Sequence, residues 1–339
     1  MAQAKSVETA KKHVKQHFFS TDSWFYAFAD VSCGMKESYH LCFTSHDEVM
    51  FRDAEDHGMF LNILALRGFS TETEVECEAE MSTHVHINAL TAQPGRFAGQ
   101  VRMSYTKWFN AKYGREGRFG EKYTFISKVD GFYHQLVVFN YILRNGLHHC
   151  AAATALGYPY CSVREQFAFD LGMEKELAAN WSRQEMASFL PRYAEFPDEY
   201  QMTASGIFLR HSFMEIRKVE QYYVTPRNYL YQMNRLTDES WTTEQQQDRT
   251  GPPITLRDVE QADEKTIAQL LKNESGRNYK HGRMQDLDVC RLIDRDILPG
   301  YGVQSVYQLS ATQKQHIARQ LLYDFHLPEH QIRRCLVMG

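Results

Sequence analysis

The chain has 339 residues, 43% apolar and 24% charged, with a net charge of −4 and a pI near 6.4. Those values describe an ordinary globular protein with enough chain for two domains, and the absence of any run approaching 18 apolar residues excludes a membrane-spanning helix of the usual kind. The acidic balance excludes a protein coated in basic charge, so any contact with nucleic acid has to come from a local excess.

Residues 1–20 read as a loosely attached Lys-rich helix without the apolar stretch of a secretory signal. The seven cysteines (Cys33, Cys42, Cys77, Cys150, Cys161, Cys290 and Cys335) are odd in number, scattered and free of any C-x-x-C pair. That pattern argues against a disulfide framework or a zinc ribbon and for a reducing cytoplasm. Residues 24–31 are aromatic-rich and suit a short strand or buried turn, and 39–43 alternate as a strand. Asp53 with the acids behind it starts a helix, Phe60, Leu61, Ile63, Leu64 and Leu66 give it an apolar face, and Gly68 ends it.

Glutamate occupies every even position from 72 to 80, which in a strand makes one acidic face. The expectation is a solvent-facing edge kept from aggregating by charge; the alternative is that Glu80 joins the next strand's histidines around a metal. That next stretch, Met81-Ser-Thr-His-Val-His-Ile-Asn88, carries His84 and His86 two residues apart. In a strand both project from one face while Val85 points to a core, and paired imidazoles are half of a metal site. With 15 histidines in the chain, about 0.7 such pairs arise by chance, so the motif needs context.

Pro94-Gly95 marks a turn, and a helix is expected over 104–113. Between Arg102 and Lys128 seven basic residues (Arg102, Lys107, Lys112, Arg115, Arg118, Lys122, Lys128) face two acids, interleaved with Tyr105, Trp108, Phe109, Tyr113, Phe119, Tyr123 and Phe125. Basic residues among aromatics suit a groove that tracks a nucleic-acid backbone with stacking platforms, and equally a solvated face over an aromatic core. The glycines of 114–120 lack the spacing and Lys-Ser/Thr of a phosphate loop. A strand is expected over 121–129 and a helix over 132–144, stopped by Asn145-Gly146. In that helix Tyr141 and Asn145 are i, i+4 and share a face, with His134 and Val137 on the same stripe and Leu136, Phe139 and Leu143 on the buried side. Taken singly, Tyr141 reads as a core tyrosine and Asn145 as a helix end.

From 163 to 250 helical runs mix with aromatic turns, and the Gln-rich stretch 242–253 ending in Gly-Pro-Pro reads as a linker. Beyond it the chain is helical and charged. Ser310 caps a helix whose stripe is Ile317, Leu321, Leu322 and Phe325, Leu327-Pro328 breaks it, and a last helix over 329–336 carries Arg333 and Arg334. Two helices with a short turn suit a DNA-binding helix-turn-helix as well as a small packed bundle.

Four of these segments, taken in order, resemble the HUH-type single-tyrosine transposases, most of all the REP-associated tyrosine transposases. Tyr39-His-Leu with Val49-Met-Phe51 and Phe60-Leu61 is similar to that family's opening strand and first helix, and Met81-Ser-Thr-His-Val-His-Ile to its histidine signature. Tyr105-Thr-Lys-Trp-Phe-Asn110 with Arg115, Gly117, Phe119 and Lys122-Tyr123 is similar to its central basic segment. Tyr141-Ile-Leu-Arg-Asn145 followed by Tyr158-Pro-Tyr-Cys-Ser162 is similar to its tyrosine motif. Thr83 stands where the family has Asn, and Gly146 where it has Pro. The likeness covers about residues 38–165.

The resemblance implies an α+β fold, a ferredoxin-like or RRM-like antiparallel sheet with helices on its faces, followed by a mostly helical C-terminal domain. The corresponding domains are an extension over 1–37, a nuclease domain over 38–165, an accessory region over 166–250 and a helical domain over 251–339. It implies a divalent metal, Mg²⁺ or Mn²⁺, held by His84, His86 and the Asn145 oxygen. Tyr141 is then the nucleophile that forms a 5′-phosphotyrosine and frees a 3′-OH, with His134 a candidate helper. Arg102, Lys107, Trp108, Lys112, Arg115, Arg118 and Lys122 would carry the DNA. The implied substrate is single-stranded DNA beside a hairpin, the implied place the cytoplasm and its nucleoid, and a homodimer one arrangement. Other readings are a replication or mobilisation nickase, a domesticated hairpin-binding protein with a dead site, and an unrelated metal hydrolase.

Overall fold

A computed structural model describes residues 34–45, 48–118, 124–149, 151–174, 176–234 and 284–338. The expected elements at 1–20 and 24–31, the linker at 242–253, and Phe119, Lys122 and Tyr123 lie outside the described residues. The chain divides into two compact units, Met1–Met35 and Lys36–Gly339, and all the elements below belong to the second.

The first elements are β1 (Glu37–Thr44), α1 (Ala54–Ser70), β2 (Glu74–Met81), β3 (His84–Thr91), α2 (Pro94–Tyr113) and β4 (Phe125–Lys128). The strands form one sheet in the order β2-β3-β1-β4, with every neighbouring pair antiparallel. Split β-α-β-β-α-β connectivity in that order is the ferredoxin-like arrangement. Asp53 caps α1 by accepting from the Asp56 amide at 2.9 Å, while the Asp56 carboxylate accepts from the Asp53 amide in return, so two orphan donors are satisfied at once. The helix runs past the expected stop at Gly68. That glycine instead lets the turn close, since a Cβ there would lie 3.2 Å from the Thr73 carbonyl. Pro94 belongs to the first turn of α2 rather than to a loop, where its missing N–H costs nothing. Phe97, Ala98 and Val101 extend the buried stripe of α2 ten residues before the expected start.

The pleat sorts the sheet into two faces. Leu41, Phe43, Val85, Ile87 and Ala89 pack against Phe60, Leu61 and Leu64 of α1 and Phe97, Val101, Tyr105 and Phe109 of α2. Cys77, Ala79 and Met81, on the opposite face, pack against the next helix, α3 (Phe132–Leu143), through Val138, Phe139, Ile142 and Leu143.

The glutamates of β2 do not form a solvent-facing edge. A bulge between Val75 and Cys77 breaks the alternation, and Glu76, Glu78 and Glu80 are buried. Later chain covers the edge: the Glu80 amide donates to the Tyr160 carbonyl at 2.9 Å and the Glu215 amide to the Val75 carbonyl at 2.8 Å. Arg210 meets Glu78 at 2.7 Å. Glu80 lies opposite Val85, on the α1 side, and bonds His57 at 2.7 Å. It therefore cannot share a metal with His84 and His86. Burial pushes Glu80 well up and His57 well down, which favours the neutral form of each.

After α3 come α4 (Asn145–His148), α5 (Arg183–Ser188), α6 (Arg210–Phe213), α7 (Ile216–Tyr223) and α8 (Pro226–Met233). Val219, Tyr223, Tyr229 and Met233 of the last two complete the α3 core. The C-terminal helices are α9 (Asp286–Leu292), a π-helical turn at Ile293–Ile297, α10 (Ala311–Tyr323) and α11 (Glu329–Leu336). They share a core of Val289, Ile293, Ile317, Leu321, Ile332 and Leu336 that also receives Val49. The expected helix-turn-helix pair is thus two members of a bundle begun by α9. Arg334 turns inward to Asp286 at 2.6 Å, which removes it from any recognition surface. Among the described residues no helix is long and apolar enough to cross a membrane.

Candidate active site

β3 presents His84 and His86 on the face that receives α3. β1 runs alongside with Cys42 opposite His86 and His40 two pairs further on, opposite Asn88, so His40 reaches His86 diagonally, with its Nε2 3.1 Å from His86 Nδ1. From the helical side, the Tyr141 hydroxyl lies 3.2 Å from His86 Nε2. Asn145 opens α4 two residues after α3 ends at Leu143 and sets its Oδ1 3.3 Å from His84 Nε2. The four residues singled out in the sequence, His84, His86, Tyr141 and Asn145, therefore meet. His149 adds a further ring with its centroid 4.8 Å from His84.

Burial governs the electrostatics. It drives His40 down to about 4, with His134 adding to the effect, drives His149 down to about 3, and puts His86 well below its usual range, helped by His40 and His84. Burial, then Cys42, raises Tyr141. These shifts favour the neutral form of His40, His86 and His149, which offers a lone pair.

The residues fit a divalent cation. Octahedral ligands at about 2.0–2.1 Å and right angles stand about 3 Å apart, close to the 3.3 Å between His84 Nε2 and Asn145 Oδ1. Asn145 is fully buried, with its side-chain oxygen facing His84. Among the described residues no three His, Cys, Asp or Glu side chains group as a metal site, so a cation here would depend on the two imidazoles and the Asn145 oxygen.

A cavity of about 390 Å³ opens on Tyr141, lined by His40, Cys42, His86, Phe125 and His134 among others. Phe125 is 56% exposed at its rim and stands edge-on to His40. His134 accepts from the Asp130 amide at 3.2 Å; it shares the cavity with Tyr141, but that ring nitrogen is engaged at the head of the helix.

The basic segment lies elsewhere. Its residues up to Arg118 belong to α2 and the turn beyond it, α2 packs on the sheet face opposite Tyr141, and Phe125 and Lys128 belong to β4. Tyr105, Phe109 and Tyr113 are core residues, and Arg102 is buried. Lys112 is held by Asp53, Glu55 and Asp56 at 2.8–2.9 Å and sits over the Trp108 ring. Arg115 is paired with Glu48 at 2.5 Å. Lys107 and Arg118 are exposed. Among the described residues of 102–118, the aromatics Tyr105, Phe109 and Tyr113 serve the core, which matches the reading of a solvated face over an aromatic core for that part of the segment. His40 and His149 were not singled out from the sequence, whereas Phe125, one of the aromatics interleaved with the basic residues, does reach the cavity. The alternation of 39–43, which sets His40 and Cys42 on one face, was the available signal for the first.

No family model and no curated protein matches the chain. Among solved structures it is similar to one described as "Structure of the REP associates tyrosine transposase bound to a REP hairpin", at 9% identity and a TM-score of 0.35, over 48% of this chain and 93% of that one. That is a distant likeness confined to about half of the chain.

Proposed function

We propose that this protein is a metal-dependent endonuclease and strand transferase for single-stranded DNA, working through a tyrosine at hairpin-associated sites as the REP-associated tyrosine transposases do. One observation carries the reading: a tyrosine hydroxyl, two strand histidines and a buried asparagine oxygen converge on one sheet face, with Tyr141 3.2 Å from His86 and Asn145 3.3 Å from His84.

The Tyr141 oxygen attacks the scissile phosphorus. The Oη–P bond forms, the P–O3′ bond breaks, and the departing 3′ oxygen takes up a proton equivalent to the one tyrosine gives up, leaving a 5′-phosphotyrosine. Phosphodiester replaces phosphodiester, so the step reverses onto another 3′-OH without ATP. A cation held by His84, His86 and Asn145 would supply positive charge to the phosphate oxygens. His40 orients His86 by engaging its Nδ1, which fixes the direction of Nε2. Packing of α3 fixes the Tyr141 ring and limits water at its oxygen. The exposed Phe125 ring at the cavity rim offers a stacking surface for an unpaired base.

The test is covalent trapping. Protein, Mn²⁺ or Mg²⁺ and labelled single-stranded DNA from the flanks of its own gene are incubated and run on a denaturing gel. A shifted band that disappears in Tyr141→Phe is expected. A band that survives Tyr141→Phe assigns the nucleophile to another residue. Hairpin binding with no band favours the dead-site binding protein.

A further inference from the structure

A second cavity, of about 590 Å³, lies beside His84 and away from Tyr141. Ser82, Thr83, His84 and His149 form one wall, the residues from Tyr158 to Tyr160 another, and the starts of α9 and α11 the third. The metal and nucleophile chemistry above uses none of it beyond His84.

Its walls suit a neutral, polar, flat ligand. Asp286 is saturated, accepting from Ser82 at 2.7 Å, Gln331 at 2.9 Å and Arg334 at 2.6 and 2.7 Å, so neither that carboxylate nor the Arg334 fork is available to a phosphate. Gln331 is 3% exposed and spends its amide nitrogen on the Met284 carbonyl and Asp286. Among the described residues its Oε1 is buried with no hydrogen-bond partner, an unsatisfied acceptor on a residue that lines the cavity and would meet a donor there by turning its side chain. A column of flat rings lines the same cavity. Phe51 stacks on His57 at 4.3 Å and 11°, His57 stacks on Tyr160 at 3.5 Å and 7°, and Tyr160 lines the space.

We infer that this cavity receives one unpaired base of the strand cleaved at Tyr141, stacked on the Tyr160 ring, with the Gln331 side chain turning to accept a base N–H at Oε1. The inference rests on the proposed nuclease function and deepens it, giving the C-terminal helices a part in choosing where the strand is cut. Because His84 lines this cavity and also meets Asn145, the selected base lies within a few nucleotides of the scissile phosphate.

The test uses full-length Tyr141→Phe protein and the flank oligonucleotide of the trapping experiment, with an abasic site placed at each position in turn. One position should lower affinity about tenfold. That difference should vanish in Tyr160→Ala and return in Tyr160→Phe. A 5-iodouracil at the same position should crosslink to Tyr160 on irradiation, a readout that needs no substitution in the pocket. A flat abasic scan, or crosslinks that map only to other residues, overturns the inference. The two proposals fail separately: an adduct at Tyr141 with a flat scan leaves the nuclease standing without the base pocket, and a Tyr160 crosslink without any adduct does the reverse.

Discussion

Arg52→Met should loosen the C-terminal helices from the sheet. Arg52 has no exposed surface. It donates from Nε and Nη2 to the two Asp294 oxygens at 2.9 and 2.7 Å, and from Nη1 to the Cys335 carbonyl at 2.9 Å. One side chain next to α1 thus ties the π-helical turn and α11 together. Methionine fills similar length without donors, so the loss falls on the polar groups rather than on packing. Removing one partner of a buried pair costs about 3–5 kcal/mol. The Asp294 side chain keeps 22% exposure and regains some hydration, which selects the lower end, about 3 kcal/mol or roughly a hundredfold in an opening equilibrium. Native-state hydrogen exchange reads this directly. Amides of α9, α10 and α11 should exchange about a hundredfold faster, with those of β3 changed much less. A rise under tenfold would refute the assignment of Arg52 as the clamp. An equal rise in helices and sheet would refute the idea that the bundle opens by itself.

Burial raises Glu76 from 4.5 to about 7, so its folded-state pKa lies above the unfolded one. The folded protein keeps the proton between those two values while the unfolded chain loses it, so Glu76 costs stability progressively as pH rises from 4.5 to 7, and by about 3 kcal/mol above that. Urea unfolding of wild type and Glu76→Gln across pH 5–8 should show the variant gaining as pH rises; parallel curves would sink the argument. Gly146→Ala should cost about 1–3 kcal/mol, because the new Cβ would sit 2.4 Å from Cβ and Cγ of Tyr158, a ring anchored by its hydroxyl to the Glu80 carbonyl at 2.6 Å; an unchanged urea midpoint would contradict it. Asn145→Ala should weaken Mn²⁺ binding at least tenfold, read by electron paramagnetic resonance of the free ion, and equal affinity would take Asn145 out of the metal set.

Much of the candidate site was legible because its spacings are local. His84 and His86 share a face by the period of a strand, and Tyr141 and Asn145 stay one helical turn apart although α3 ends at Leu143 and Asn145 opens α4. The helix starts at Asp53 and Ser310 were legible for the same reason, since each capping box is closed within four residues. The faces of β2 and α2 were not. A regular run of glutamates predicts one exposed face only if the strand stays regular, and the bulge at Glu76 breaks that condition. Basic residues among aromatics say nothing about which side of a sheet their helix will cover.

By itself the sequence determined the sheet-forming segments, the pairing of His84 with His86 and of Tyr141 with Asn145, and the helix caps, because each depends on dihedral geometry over a few residues. Tertiary structure alone decided what those pairs meet. Strand order placed His40 against His86, and the later chain closed over Glu78 and Glu80 with Arg210 as one counter-charge. The α9–α11 bundle, begun more than 190 residues after the His84–His86 pair, made the wall of a cavity beside His84. Contacts between residues so far apart in the chain are fixed by how faces bury one another, and no local pattern records that choice.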